Sequence, residues 1–194
     1  MSAQTDLWSG KFGDQYTERN QVDWIDRSNF WREMAATTRA TSALEIGCNV
    51  GHNLIGLRAA GVQKLIGIEL NEKAAKAARE RHLTVVDGEA HFILQHLTEG
   101  QFDLVFTAGV LIHVPPDLIK EMMLGMIRVS GRYILVVEYE SEAEEEIVYR
   151  GRKQALWKRP YGEMMKALGV TEVKTGILEK KDGFDNCTYW LMEK

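Results

Sequence analysis

The sequence predicts an α/β fold with a doubly wound, mostly parallel sheet and helices on both of its faces. Short apolar runs without polar interruption alternate along the chain with stretches in which apolar residues recur at the helical period. Continuous apolar runs are typical of strands that are buried on both faces. Such a sheet is built from right-handed strand–helix–strand crossovers, which place helices on each side of it.

The elements follow one another in a regular order up to Tyr139. Gly61 lies where a helix would stop, and Asn71 and Pro116 lie where helices would begin. The predicted strands cover residues 43–46, 64–70, 83–86, 102–107 and 132–139, and the predicted helices cover residues 53–61, 71–82, 90–97 and 116–129.

The regular alternation of predicted strands and helices ends at Tyr139. An acidic run and a basic segment precede a predicted helix near Tyr161 to Leu168. Two further apolar runs, 170–178 and 186–194, are joined by a turn-rich segment that contains Asp182 and Gly183. This pattern predicts an antiparallel hairpin at the edge of the sheet.

Length and composition indicate one domain, residues 1–194, in a reducing compartment. The chain is long enough to bury a core, and Cys48 and Cys187 are too few for a disulfide framework and show no metal-ligand spacing. We therefore expect a cytoplasmic protein without a metal site. The net charge of −4, with both signs scattered, argues against nucleic acid as a partner. No apolar run predicts a membrane span or a signal peptide.

The stretch "LEIGCNVGHN", residues 44–53, ends the first strong strand in a turn of small and polar residues. In an open parallel sheet, ligands bind beyond the carboxyl ends of the strands, where the strand order reverses. Gly47 and Gly51 allow the main chain to approach a ligand, and the following helix offers unpaired N–H groups. Glu69 ends the second strand about 20 residues further on, where an acid takes the hydroxyls of a ribose. The glycine spacing matches neither a dinucleotide fingerprint nor a P-loop.

Four stretches together resemble the class I S-adenosylmethionine-dependent methyltransferases: "LEIGCNVGHN", "GIELN" (67–71), "VVDGEA" (85–90) and "FDLVFTAGVLIHV" (102–114). The resemblance implies a Rossmann-like, seven-stranded fold and S-adenosyl-L-methionine as the cofactor. It places the glycine turn at the methionine part, Glu69 at the ribose, and Glu89 with Ala90 at the adenine. The cofactor-binding residues that it implies are Tyr16, Arg19, Glu45, Gly47, Asn49, Gly51, Asn53, Glu69, Leu70, Gly88, Glu89, Ala90, Thr107 and Ala108.

Two other stretches, "WSGKFGDQYTERN" (8–20) and "RPYGEMM" (159–165), look like the methylases associated with pseudaminic acid biosynthesis. This narrower resemblance implies that residues 1–34 form a helical cap, which brings Tyr16 and Arg19 to the cofactor. Arg19 would then pair with the cofactor carboxylate through its planar fork. The acceptor implied is a sugar or sugar nucleotide of the nonulosonic-acid type.

Three acids of these motifs have alternative interpretations. Glu45 lies on a strand that should be buried, so it either braces the glycine turn or binds the cofactor amino group, unless it is exposed at an edge. Glu69 could instead neighbour a helix start and interact with its dipole. Asp87 competes with Glu89 for the adenine contact, and the alignment of "GEA" favours Glu89.

Candidate catalytic residues are His113, Glu138 and Tyr161. His113 follows the fourth strand at the ligand edge and could accept a proton from a substrate, although a histidine here could also serve only in packing. Glu138 ends the fifth strand, and Tyr161 follows the basic segment.

Residues 138–160 follow the fifth strand, and we expect a lid insertion at 140–162. The charges suit a solvated helix, since Glu146 and Arg150 are four residues apart. The alternative is that basic side chains interleaved with aromatic ones bind an anionic sugar or its phosphates. The substrate-binding candidates are Arg150, Arg152 and Arg159.

The cofactor chemistry leaves the acceptor open. A sulfonium supplies the activated methyl, so the protein mainly aligns the reactants and excludes water. The acidic-or-Asn, Pro, Pro, aromatic motif of many amino-group methylases is absent, because the fourth strand continues as "TAGVL". The leading hypothesis is methyl transfer to an amino or hydroxyl group of a small, polar, anionic metabolite. The alternatives are a non-catalytic cofactor-binding module and, disfavoured by the glycine spacing, a dehydrogenase.

Overall fold

The computed structural model describes residues 3–19 and 23–194, and it has the predicted α/β architecture. Its strands are β1 (Ser42–Ile46), β2 (Lys64–Glu69), β3 (Thr84–Asp87), β4 (Phe102–Ala108), β5 (Ser130–Glu138), β6 (Glu145–Glu146), β7 (Trp157–Lys158), β8 (Thr171–Leu178) and β9 (Cys187–Glu193). Its helices are α1 (Ala3–Ser9), α2 (Lys11–Arg19), α3 (Ser28–Thr38), α4 (His52–Ala59), α5 (Glu72–Glu80), α6 (Ala90–His96), α7 (Ile119–Val129) and α8 (Tyr161–Ala167).

Seven strands form one sheet in the order β3-β2-β1-β4-β5-β9-β8. The strands β1 to β5 pair in parallel, whereas β9 pairs antiparallel with both β5 and β8. The antiparallel hairpin at the carboxyl-terminal end of the chain is therefore confirmed. The strand order reverses between β1 and β4, and this is the place where open sheets of this kind bind ligands.

Two apolar layers cover the two faces of the sheet. Leu104 and Phe106 of β4 pack in one layer with Trp31 of α3, and the intervening Val105 packs in the other with Met123 of α7. Neighbouring residues of one strand thus contribute to opposite cores, as the two-residue period of a strand requires. Continuous burial of β1 and β4 explains why their sequences lack polar alternation.

The predicted helix start at Asn71 is confirmed, whereas the predicted start at Pro116 is not. The Asn71 side chain caps α5, because its Oδ1 accepts the backbone N–H of Ala74 at 2.9 Å. In contrast, α7 begins at Ile119, because Pro115 and Pro116 lie in the turn before the helix. No helix in the described residues is long and apolar enough to cross a membrane.

Residues 139–160 do not form the solvated helix that was one interpretation of this segment. They fold as an irregular loop around the short antiparallel pair β6 and β7, in which Glu145 lies opposite Lys158. Ile147 donates its backbone N–H to the carbonyl of Leu156 at 2.9 Å, which continues the pairing into the loop. We call residues 139–160 the hairpin segment.

Candidate active site

A cavity of about 790 Å³ lies at the carboxyl ends of β1, β2, β4 and β5, next to the reversal in strand order. Helices α1 and α2, the hairpin segment and the β8–β9 connection supply the remaining walls. A volume of this size is typical of small-molecule and cofactor sites. The fold therefore produces a site where the sequence predicts one.

The glycine-rich turn after β1 enters the cavity at Gly47. Its φ of 67° lies in the left-handed region, and a Cβ here would come within 2.6 Å of the Val110 side chain. Gly51 is also left-handed, with φ of 85°, but it does not line the cavity. A Cβ at Gly51 would lie 2.1 Å from Leu83, so this glycine is required by packing. The structure therefore gives Gly51 a role in packing and does not bring it to the cavity.

Glu69 holds the turn through its carboxylate. Its Oε2 accepts the backbone N–H of Asn49 at 2.7 Å, and its Oε1 accepts the backbone N–H of Asn71 at 2.8 Å. Burial raises the pKa of Glu69, and the two backbone hydrogen bonds oppose that rise. Each carboxylate oxygen retains a lone pair for a ligand hydroxyl, since an ionised carboxyl group has about four acceptor sites.

Glu45 presents an unsatisfied acceptor to the cavity. Its side chain is 1% exposed, and its Oε1 accepts a hydrogen bond from Asn53 Nδ2 at 2.7 Å. Its Oε2 is buried and has no hydrogen-bond partner among the described residues. Burial raises the pKa of Glu45 to about 8. An orphaned buried acceptor is costly, so this atom fits the ammonium group of an amino acid moiety.

The arginine at this end of the cavity is Arg27, which the sequence analysis did not single out. Its Nη1 donates to Asn53 Oδ1 at 2.9 Å, and its Nε donates to the carbonyl of Gly183 at 2.9 Å. Its guanidinium lies 4.3 Å from the centre of the Phe184 ring. Arg19 is exposed and does not line the cavity, so the structure places Arg27 and not Arg19 at this end of it.

The predicted adenine side is well assembled. Leu70, Gly88, Glu89 and Ala90 line the cavity together. Asp87 instead is half exposed and pairs with Arg79 at 2.5 Å, so the structure favours Glu89 of the two acids. On β4, the terminal Ala108 lines the cavity, whereas the preceding Thr107 is fully buried beside Glu138 and does not line it.

Glu138 fixes the loop that follows β4. Its Oε1 accepts the backbone N–H groups of Val110 and Leu111 at 3.0 and 2.9 Å, and its Oε2 accepts that of Ile112 at 3.3 Å. Burial raises the pKa of Glu138 to about 7 against these bonds. The carboxylate lines the cavity, but its oxygens are engaged in holding the loop that carries His113.

His113 lines the cavity with one ring nitrogen already engaged. Its Nδ1 lies 2.7 Å from the carbonyl oxygen of Ala155, which can only accept, so Nδ1 carries a proton. Burial lowers the pKa of His113 to about 4, and the imidazole is therefore neutral at pH 7. A group with so low a pKa is a weak proton acceptor.

Three further predicted residues lie outside the cavity. Tyr161 is fully buried in the core, and its hydroxyl donates to the carbonyl of Trp157 at 2.9 Å. Arg159 is fully buried and donates to Glu144 at 2.7 Å and to the carbonyl of Leu111 at 3.1 Å. Arg152 is exposed and packs on Phe12. The structure therefore does not bring these three side chains to the cavity, and of the lid arginines only Arg150 lines it.

The first two helices contact the hairpin segment and the loop after β4. Gln4 hydrogen-bonds to the carbonyl of Gln154, and the rings of Phe12 and Tyr149 lie 6.1 Å apart. Trp8 contacts His113, with ring centroids 4.3 Å apart. These contacts join the helices and the hairpin segment beside the cavity, which both of them line.

Acidic side chains outnumber basic ones in the cavity wall. Lysine and arginine contribute only Arg27, Arg150 and Lys180 among the described lining residues. The carboxylic acids that line it are Asp23, Asp26, Glu45, Glu69, Glu89, Glu138 and Asp185. The described residues contain no cluster of His, Cys, Asp or Glu arranged to hold a metal ion.

Comparison with known proteins agrees with this architecture. Residues 43–131 match the family model described as "Methyltransferase domain". The chain is 27% identical over 134 residues to a ribosomal protein L11 methyltransferase of Neisseria gonorrhoeae, and this match covers 69% of the chain and 42% of the relative. The chain thus spans less than half the length of these curated relatives.

Solved methyltransferases share the whole fold. The 1,6-didemethyltoxoflavin-N1-methyltransferase of Burkholderia thailandensis, with its acceptor and S-adenosylhomocysteine bound, superimposes with a TM-score of 0.76 at 15% identity over 100% of this chain and 91% of that one. The magnesium protoporphyrin IX methyltransferase of Synechocystis, with S-adenosylhomocysteine, gives 0.72 at 16% identity over 98% and 97%.

The fold is therefore that of the class I S-adenosylmethionine-dependent methyltransferases, as the sequence predicts. The matched family model is that of a methyltransferase domain, and two structures of the Synechocystis enzyme hold S-adenosylhomocysteine and S-adenosylmethionine.

Proposed function

We propose that this protein transfers a methyl group from S-adenosylmethionine to an amino or hydroxyl group of a small molecule. The observation that carries the proposal is the orphaned Glu45 Oε2, buried in the cavity beside Gly47. Together with Glu69 at the next strand end, it offers acceptors for the amino group and the ribose hydroxyls of this cofactor. The bound cofactor supplies the activated methyl group.

In this proposal, the residues of the chain bind the cofactor and orient it. Glu45 and Arg27 would hold the ammonium and carboxylate of the methionine part, and Asn53 links both side chains by hydrogen bonds. Glu69 would hold the ribose, and Glu89 with Ala90 would contact the adenine. These roles place the methyl group toward the loop after β4, where Glu138 and His113 lie.

The size of the cavity supports a small acceptor. Its volume of about 790 Å³ would hold both the cofactor and the acceptor, and α1, α2 and the hairpin segment line one side of it. The resemblance of residues 8–20 and 159–165 to sugar methylases favours a sugar, and we retain a sugar with an amino or hydroxyl group as the candidate acceptor. The positions of Arg152 and Arg159 outside the cavity count against a sugar nucleotide.

Mass spectrometry tests the proposal without a prior guess of the acceptor. The enzyme is incubated with isotopically labelled S-adenosylmethionine and a small-molecule extract, and labelled products and S-adenosylhomocysteine are both measured. We expect a labelled product that disappears with Glu69→Ala, whereas Glu72→Ala, an exposed glutamate of α5, retains it. Cofactor binding without any labelled product would favour the non-catalytic binding module.

A further inference from the structure

Four rings from four separate parts of the chain form one wall of the cavity. Trp8 comes from α1, Tyr16 from α2, His113 from the loop after β4, and Tyr149 from the hairpin segment, and all four line the cavity. We call these four residues the aromatic wall. Ring centroids lie 5.3 Å apart for Trp8 and Tyr16, 4.3 Å for Trp8 and His113, and 5.6 Å for His113 and Tyr149.

The aromatic wall carries little positive charge of its own. Burial raises the pKa of Tyr16 to about 12, and among the charged residues nearby Arg27 lowers this pKa while Glu138 and Glu69 raise it. His113 is neutral near pH 7, so it adds no positive charge. Aromatic faces attract cations through their negative quadrupole. The faces of the wall therefore favour a positively charged group over an anion.

The positively charged side chains that line the cavity have other partners or are exposed to solvent. Arg27 is held by Asn53 and by the carbonyl of Gly183. Lys180 is 79% exposed on its side chain and lies 3.9 Å from Asp185. Arg150 is exposed, and its guanidinium lies 5.9 Å from the Tyr149 ring, at the outer end of the wall. In the proposed function the partly buried Arg27 holds the cofactor carboxylate, and the other two side chains are exposed, so none of the three is left to bind an anionic acceptor beside the wall.

We propose that the methyl acceptor is an amine without phosphate or carboxylate groups, and that it packs against the aromatic wall. This inference rests on the proposed function. The amine lone pair forms the new nitrogen–carbon bond while the carbon–sulfur bond breaks and its electron pair stays on sulfur. Positive charge passes from sulfur to nitrogen beside the same rings, and the methylated ammonium later releases a proton to solvent.

The groups at the loop after β4 also favour nitrogen over oxygen. A hydroxyl acceptor must lose its proton to a base during or before the transfer. The Glu138 oxygens already accept three backbone N–H groups, and His113 Nδ1 is bound to Ala155. An amine that loses its proton to solvent before it enters the site attacks through its lone pair, and the proton of the methylated product is lost only after the transfer.

Calorimetry on the protein saturated with S-adenosylhomocysteine tests the charge preference. The probes are benzyltrimethylammonium and benzenesulfonate, which share a ring and differ in charge. We expect the cation to bind at least about tenfold more tightly than the anion, because one cation–π contact is worth about 0.5–2 kcal/mol and several rings line the wall. A sulfonate that binds equally well, or a cation that does not bind, would overturn the inference.

Variants of the wall provide the matched controls. Trp8→Leu should weaken the cation about 3- to 30-fold, and Trp8→Phe should retain most of its affinity. Phe12→Leu removes a ring that contacts Trp8 and Tyr149 but does not line the cavity, so it should leave the cation affinity unchanged. If Phe12→Leu weakened cation binding as much as Trp8→Leu, the wall would act only through packing, and the inference would be overturned.

The labelled product of the metabolite experiment gives an independent readout. An N-methylated product without phosphate or carboxylate supports the inference. An O-methylated or phosphorylated product overturns it while leaving the methyltransferase proposal intact. Failure of S-adenosylhomocysteine to bind in the calorimeter would instead refute the proposed function itself.

Discussion

Glu69 accepts the backbone N–H of Asn49 at 2.7 Å, so the carboxylate at the end of β2 fixes the glycine-rich turn after β1. The same side chain accepts the N–H of Asn71 and thereby also anchors the start of α5. Glu69 therefore shapes the turn after β1 and also faces the cavity. Its two hydrogen bonds connect the carboxyl ends of β1 and β2.

The first prediction concerns this carboxylate. Glu69→Ala should weaken S-adenosylmethionine binding by about 1–3 kcal/mol, the range for losing hydrogen bonds to a charged group. Calorimetric titration measures the effect, with Glu72→Ala as an exposed control on the same helix start. Unchanged affinity in Glu69→Ala would remove this residue from the cofactor site.

The second prediction separates the two arginines of the amino-terminal region. Arg27→Ala should reduce cofactor affinity by about 1.5–3 kcal/mol, because Arg27 faces the methionine end of the cavity and a charged hydrogen bond is lost. Arg19→Ala should have no effect on cofactor affinity, since Arg19 is exposed and outside the cavity. The reverse pattern in calorimetry would restore the original interpretation of Arg19.

The third prediction concerns how the buried His113 makes the stability of the folded protein depend on pH in the acid range. Burial lowers its pKa to about 4, against about 6.5 in an unfolded chain. Between these values the unfolded chain binds a proton that the folded protein does not, so stability falls as the pH is lowered from 6.5 toward 4. Lowering the pH from 7.5 to 5 should cost wild type about 2 kcal/mol more than His113→Gln.

Chemical denaturation at the two pH values measures this difference. His96→Gln is the control, because an exposed imidazole on α6 is solvated before and after unfolding. Burial raises the pKa of Glu45 to about 8 and that of Glu138 to about 7. These two carboxyl groups therefore lower stability as the pH rises above about 4.5, which is the opposite of the effect of His113. The comparison with His113→Gln cancels their contribution; equal acid responses would contradict a buried, neutral His113.

The fourth prediction concerns the hairpin segment. Arg159 is fully buried and pairs with Glu144, so Glu144→Gln leaves a buried cation without its counter-ion. We expect a loss of about 1–3 kcal/mol in the free energy of unfolding, below the range for fully buried pairs because Glu144 is partly exposed. Arg150→Ala, at an exposed position, should stay within about 0.5 kcal/mol. Equal stabilities of the two variants would show that Arg159 does not secure the segment.

The parallel sheet with its antiparallel hairpin, the glycine turn and the roles open to Glu45 and Glu69 could be predicted because they depend on local pattern. The turn follows β1 directly, and Glu69 ends the next strand, so chain order alone brings them to one edge of the sheet. The placement of Glu89 and Ala90 follows from the same logic.

The rest depends on long-range packing that no local pattern encodes. Arg27 reaches the cavity because Gly183, 156 residues away, accepts its hydrogen bond. Arg159 and Tyr161 look suitable for an anion site in the sequence, but the hairpin segment turns them into the core. The aromatic wall is likewise assembled only when the first helices meet the hairpin segment.

The most direct test is a crystal structure of the protein with S-adenosylhomocysteine bound. The account predicts the nucleoside across the carboxyl ends of β1 and β2, with Glu69 at the ribose hydroxyls and Glu45 at the amino group. A ligand bound elsewhere, with the crevice beside Gly47 empty, would contradict the proposed methyltransferase site.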